Sequence, residues 1–172
     1  QIDAATRRNL ELTHALSGGR AGSLLAAIDR TVTSGGARLL ERRLSSPSCV
    51  LEIITARHDA VGFALEQSRL RADLRDTLRK VPDLDRALSR LALDRGGPRD
   101  LASVRNGLEQ AEDIFAALSG AALPDLLRTA AQDLTGHDAL VDLLGQALIA
   151  EPPLLARDGG FIAEGFDEEL DE

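Results

Sequence analysis

The sequence predicts an all-α fold, an irregular multi-helix bundle with short extended segments near both ends. Three observations predict it. Leu, Ala, Arg, Glu and Asp dominate the composition, and the good helix formers among them favour helix. Aromatic residues are only 2% of the chain, namely Phe63, Phe115, Phe161 and Phe166 with no Trp or Tyr, whereas strands favour aromatic and β-branched residues. Apolar residues recur at spacings of three and four along most of the length. With 172 residues, the chain is expected to form one domain with a sizeable core.

The elements follow in order. Leu10-Glu11-Leu12 alternates and reads as a short strand. Ser23 is placed to cap a short helix over 24–29. Thr33 or Ser34 caps a second over 35–44, with Leu39, Leu40 and Leu44 inward and Arg38 and Arg42 outward. Ser45-Ser46-Pro47 stops it. Ser48 caps a longer helix reaching about residue 67. Its stripe of Leu51, Ile54, Val61 and Leu65 has one gap, filled by His58. Leu70, Leu74, Leu78 and Val81 mark the next helix. Pro82 suits the first turn of another, which carries Leu84, Leu88 and Leu91 and ends at Gly96-Gly97.

The strongest pattern follows Pro98. Leu101, Val104, Leu108, Ala111, Phe115 and Leu118 are spaced 3, 4, 3, 4, 3, a heptad stripe sustained over about five turns. Such a helix needs a partner along its length, and a neighbouring antiparallel helix is the simplest. Gly120 marks its end. Pro124 begins a helix to about residue 134, another runs over 138–149, and Pro152-Pro153 closes the helical region. Asp158-Gly159-Gly160-Phe161-Ile162 reads as a turn entering a short extended segment, because adjacent glycines suit positive-φ positions. There is no internal repeat of fixed period and no low-complexity linker.

Composition limits the function classes. Hydrophobic residues are 44% and charged residues 28%, as in an ordinary soluble protein. Lys80 is the only Lys beside 19 Arg, a bias best explained by a GC-rich coding sequence. Cys49 is alone, so no internal disulfide forms, which suits a reducing cytoplasm. No secretory signal and no apolar run of transmembrane length is present, which predicts a cytoplasmic protein without membrane contact. The net charge of −8 is split unevenly. Residues 1–110 carry 18 basic and 14 acidic side chains (+4), and residues 111–172 carry 2 and 14 (−12). The acidic C-terminal third is a poor nucleic-acid surface, and the mildly basic remainder predicts weak DNA affinity at most.

The search for chemistry returns few candidates. There is no GxxxxGK[ST] phosphate loop, since Lys80 lies between Arg79 and Val81. There is no GxGxxG, no signature of a Ser nucleophile, and no cysteine pattern for a zinc finger. His14, His58-Asp59 and His137-Asp138 form a pattern similar to the HD-type metal-dependent phosphohydrolases, in which His and carboxylate hold a water-activating metal. Dipeptides of this kind arise easily by chance. His58 lies on an apolar stripe, where a hydrogen-bonded core histidine without metal is the simpler role, and Asp138 suits a helix cap. No catalytic, cofactor-binding or metal-binding residue is assigned.

Four segments taken together carry a resemblance. They are DAATRRNLEL at 3–12, TVTSGGARLLERRLSSP at 31–47, VPDLDRALSRLALDRGGPRDL at 81–101 and PPLLARDGGFIAEGFDEELDE at 152–172. In this order they resemble the core, or lever, domain of the MutS family of DNA mismatch-repair proteins, with departures only at Gly96-Gly97 and in the loop at 119–123. The chain opens without an initiator Met and closes on what reads as the first turn of another helix, as expected of a piece of a longer polypeptide.

The resemblance implies that residues 1–172 are the N-terminal part of that core domain, ending near the insertion of a DNA-gripping clamp. The mismatch-reading, clamp and ATPase domains lie outside it. The parent is implied to be a dimer that encircles mismatched duplex DNA and exchanges ATP and ADP with Mg in its ATPase domain. The piece would link clamp to ATPase as a structural lever, have no enzymatic activity of its own and hold no cofactor. Its partners would be the remaining MutS domains and the second MutS subunit, and weak self-association is expected from stripes left uncovered. Phe166-Asp167-Glu168 mimics the family's Phe-x-Glu mismatch reader, but its context matches the G-[YF]-x-x-E-L-D segment after the core helices, where ring packing is the implied role. The alternatives are an HD-type metal-dependent phosphohydrolase and a generic helical protein-interaction module.

Overall fold

The computed structural model describes residues 2–169 and 171. Gln1, and Leu170 and Glu172 of the last resembling motif, lie outside the described residues. Among the described residues the fold is all-α. The chain divides into two compact units, Gln1–Glu66 and Gln67–Glu172.

The first unit carries α1 (Ala4–Asn9), α2 (Leu24–Ile28), α3 (Ser34–Ser45) and α4 (Leu51–Glu66). Local hydrogen bonding sets their starts. Asp3 caps α1 by accepting from Thr6 N–H at 2.8 Å. The Ser23 hydroxyl caps α2 by accepting from Ala26 N–H at 3.2 Å and donates to the Arg20 carbonyl at 2.7 Å. Those two bonds satisfy a side chain only 1% exposed. Thr33 caps α3 through Gly36 N–H at 3.0 Å.

Leu10-Glu11-Leu12 is a turn, not a strand. Glu11 adopts φ 48° and Leu12 N–H returns to the Arg7 carbonyl. The carbonyls of Glu11 and Leu12 then receive the N–H groups of Leu24 and Leu25, both at 2.9 Å. This sews the turn to the start of α2 and buries Leu12 and Leu25. Ser48 does not cap α4 directly. Its hydroxyl accepts from Val50 N–H one residue before the helix begins.

The second unit carries α5 (Ser68–Leu78), α6 (Leu84–Ala92), α7 (Pro98–Leu118), α8 (Asp125–Gln132) and α9 (Asp138–Ala147), followed by a 3-10 turn, Ala156–Asp158. Lys80 sits exposed in the turn between α5 and α6. Helix α7 is the hub, packed by α5, α6, α8 and α9 rather than by one neighbour. The heptad stripe is inward as predicted. Val104, Ala111 and Leu118 are buried, with Leu101, Leu108 and Phe115 half-buried. Ala102, Arg105 and Gly107 are buried as well. At 100° per residue the covered arc exceeds half the circumference, which is what four neighbours require. The core gathers Ala87, Val104, Leu144 and Leu148, flanked by Leu84, Leu91, Leu101, Leu108 and Phe161.

Two helix ends differ from expectation for identifiable reasons. Helix α6 ends at Ala92, before Gly96-Gly97. Asp94 takes the left-handed conformation at φ 53°, Asp94 N–H bonds the Leu91 carbonyl, and Arg95 N–H bonds that of Arg90. This is a Schellman stop with Asp where Gly is usual. On α6, Leu88 is 53% exposed and Ala87 takes the core position. Helix α9 ends at Ala147 because Leu148 turns extended and bridges Ile162. The bridge realises the predicted extended segment after Gly159 and Gly160, which adopt φ 68° and 63°. Asp138 makes no cap bond and stands in the first turn behind His137.

Candidate functional site

The chain at 148–154 lies along α7. It leaves α9 with unfinished hydrogen bonding, since the last carbonyls of any helix lack intrahelical partners. Helix α9 has no basic residue in its last turn. The donor comes from α7 instead. The Arg105 guanidinium is 8% exposed and donates to the carbonyls of Leu148 (3.4 Å), Ile149 (3.3 Å) and Ala150 (2.9 Å), while its Nε donates to Asn106 Oδ1 at 3.1 Å. Five N–H donors in a rigid plane suit such a fan of acceptors.

Further along, Arg99 Nε donates to the Pro152 carbonyl at 3.3 Å. At the start of α7, a Cβ on Gly97 would lie 2.6 Å from the Leu154 carbonyl oxygen. Residues 148–154 therefore run opposite in direction to α7, anchored successively at Arg105, Arg99 and Gly97. On their other side, Ile149 N–H donates to the Phe161 carbonyl and Ala163 N–H to that of Ala147.

The N-terminus of α7 is fixed by a second network. The Asp100 carboxylate accepts from Gly97 N–H at 2.9 Å and from Arg90 Nε of α6 at 3.1 Å. Arg90 also donates to the Arg95 carbonyl at 3.0 Å. A carboxylate in the first turn and Pro98 at the first helical position both suit a helix start. One carboxylate thus ties the α6 stop to the α7 start.

The residues weighed for metal chemistry are dispersed. His58 and Asp59 are exposed on α4, His137 and Asp138 are exposed at the start of α9, and His14 is exposed with Nδ1 3.1 Å from Thr13 Oγ1. His58 was expected to be partly buried. It is exposed because most of the α4 stripe points outward: Leu51 is 70% exposed, Val61 58% and Leu65 67%, with Ile54 half-buried. Among the described residues no group of three or more His, Cys, Asp or Glu side chains could hold a metal ion. Phe166, expected to pack, is 41% exposed, with its N–H bonded to the Ala163 carbonyl. Cys49 is a free, exposed thiol. No helix among the described residues is long and apolar enough to cross a membrane.

Sequence reasoning missed the Arg105 fan. A signal was present: Arg105 lies one turn after Leu101 on the edge of the apolar stripe, where a charge is out of place. Which carbonyls it would meet depended on tertiary structure.

Within the second unit the organised features are the packing of α5, α6, α8 and α9 around α7 and the anchoring of the chain at 148–154 by Arg105 and Arg99. The sequence matches the family described as MutS domain III over residues 5–171, and the chain belongs to that family. Over its whole length it is 68% identical to the DNA mismatch repair protein MutS of Ruegeria pomeroyi. It is 67% identical over its whole length to the proteins of the same name from Paracoccus denitrificans and Roseobacter denitrificans. In each case the match covers 20% of the relative, so the chain spans about a fifth of the length of these curated relatives.

Proposed function

We propose that this chain is the N-terminal part of the core domain of a MutS DNA mismatch-recognition protein, acting as a stiff lever between a DNA clamp and an ATPase domain. The observation that carries the reading is the burial of α7 by four helices across more than half its circumference. A packed core resists deformation, so displacement at one end of such a helix reaches the other. In this reading the parent binds mismatched duplex DNA and ATP or ADP with Mg through domains outside residues 1–172. The chain itself supplies no catalytic, cofactor-binding or metal-binding residue. Its partners are the remaining MutS domains and a second MutS subunit, and the protein works in the cytoplasm.

The test uses the full-length protein. Leu108→Ala, in the middle of the α7 stripe, is expected to lower stability and to weaken the coupling between mismatch binding and ATP turnover. Turnover without DNA should be preserved. Undiminished coupling in a measurably destabilised variant overturns the lever role and leaves α7 as a core element only.

A further inference from the structure

Between α1 and the turn at 13–19 lies a concavity of about 400 Å³. Its lining includes Arg7, Arg8, Thr13, His14, Gly18 and Gly19, and no carboxylate. All of these residues belong to the first compact unit. Other concavities balance their charge: Arg90 meets Asp100 in one, and Arg128 beside another meets Asp125. Arg7 and Arg8 have no such balance. Neither guanidinium has an ion pair or hydrogen bond among the described residues. The acids nearest in sequence are already used. Asp3 accepts from Thr6 N–H and Thr6 Oγ1 through its two oxygens, and Glu11 Oε1 accepts from Leu16 N–H at 2.6 Å.

The main chain around the concavity has donors to spare. The turn is held by Ala15 N–H to the Gly19 carbonyl and Gly18 N–H to the Ala15 carbonyl, both at 3.0 Å. The N–H groups of Thr13, His14 and Gly19 meet no acceptor among the described residues. Gly18 and Gly19 adopt φ 95° and 77°, and nothing lies within 4 Å of a Cβ built on either. A ligand can therefore come close to the backbone there. Basic residues suit the end of any helix, but that role alone does not bring two unpaired guanidiniums into one concavity with free N–H groups.

The charge selects the occupant. Guanidinium groups suit oxyanions, which they meet with paired N–H donors. A carboxylate or a backbone phosphodiester brings a single charge and two free oxygens. A terminal phosphate near neutral pH brings about −1.5 to −2 and three strong acceptor oxygens, which matches two arginines.

We infer that the concavity between α1 and the 13–19 turn binds the terminal phosphate of a small anion, held by the Arg7 and Arg8 side chains with main-chain N–H groups of Thr13, His14 and Gly19. The inference does not depend on the lever reading.

Arginine labelling of the full-length protein by phenylglyoxal tests it, with peptide mass spectrometry reading each site separately. The probes are inorganic phosphate and glycerol phosphate, each against chloride at equal ionic strength. For a site of about millimolar affinity or better, either probe at about 10 mM is expected to slow labelling of Arg7 and Arg8 about fivefold or more. The exposed pair Arg42 and Arg43 should label at an unchanged rate. The probe that protects at the lower concentration tells free phosphate from a phosphomonoester. Arg8→Gln is expected to remove most of the protection at Arg7. No protection, equal protection at Arg42 and Arg43, protection of Arg7 indifferent to Arg8→Gln, or an Arg7 and Arg8 unreactive even in chloride overturns the inference.

Discussion

The side chain of Leu84 on α6 fills the space where Gly107 of α7 would carry a Cβ: that atom would lie 2.5 Å from Leu84 Cδ2 and 2.8 Å from its Cγ. The two helices approach closely because position 107 has no side chain. Gly107→Ala gains about 1 kcal/mol of helix propensity but forces repacking that costs about 1–3 kcal/mol. Net destabilisation is expected in urea melts. Adding Leu84→Ala should recover part of the loss from Gly107→Ala, a positive coupling in the double-mutant cycle.

Gly145 is the contrasting case. It lies in α9, exposed, with nothing within 4 Å of a built Cβ. Gly145→Ala is therefore expected to raise stability by up to about 1 kcal/mol. A thermal melt on the same instrument as Gly107→Ala separates the two, and equal signs for both would contradict the packing at Gly107.

Arg105→Leu should be among the costlier single changes. It strips the donors from the Leu148, Ile149 and Ala150 carbonyls at a buried place, and each acceptor left unsatisfied costs about 1–3 kcal/mol unless water reaches it. Arg105→Lys should restore only part, since one ammonium cannot span the fan. Hydrogen exchange at Ile149 N–H, which donates to Phe161, should accelerate in both variants and more in the Leu variant.

Strong acid should release the local hydrogen bonds that the carboxylates of Asp3 and Asp29 hold. The Asp29 carboxylate accepts from Thr31 Oγ1 at 2.7 Å and Thr31 N–H at 2.9 Å, and these bonds hold its pKa below the ordinary carboxylate value. The bonds from Thr6 do the same for Asp3. A depressed folded pKa means that the contribution is present above the unfolded value, about 3.9, and is lost as pH falls through the folded one. Carboxyl chemical shifts of Asp3 and Asp29 should titrate below the ordinary carboxylate value. Titration at that value would show that these hydrogen bonds do not persist in solution.

Weak self-association of the 172-residue chain is expected through its exposed apolar side chains, opposed by like charge in the acidic residues 111–172 and so favoured by salt. Sedimentation at low and high salt reads both effects. A monomer at high concentration in high salt would mean that these side chains are not adhesive.

Much of the fold was legible because most of it is local. Ser23 and Thr33 cap the helices assigned to them, the α7 stripe faces inward at all six positions, and Gly159-Gly160 turns the chain into its extended segment. What failed was decided mostly by partners distant in sequence, the Asp94 stop being the local exception. Periodicity located the apolar face of α4 but not which side would be covered. Asp94 took the stop expected of Gly96-Gly97 because the Arg90 and Leu91 carbonyls were satisfied sooner. Leu10-Glu11-Leu12 alternates like a strand, yet its carbonyls are used by the start of α2. Histidine spacing, the only hint of metal chemistry, came to nothing in space, and the Arg105 fan required knowing where α9 ends.

The unusual basic composition has a practical side. Cys49, exposed just before α4, is the sole thiol, and Lys80, exposed between α5 and α6, is the sole side-chain amine. They fall in different compact units. With the α-amine blocked first near neutral pH, where it is more nucleophilic than a lysine, a thiol-reactive donor dye and an amine-reactive acceptor therefore mark one unit each without mutagenesis. Energy transfer between them in single molecules of this chain would time any movement of one unit against the other, turning a bias of codon usage into a built-in ruler.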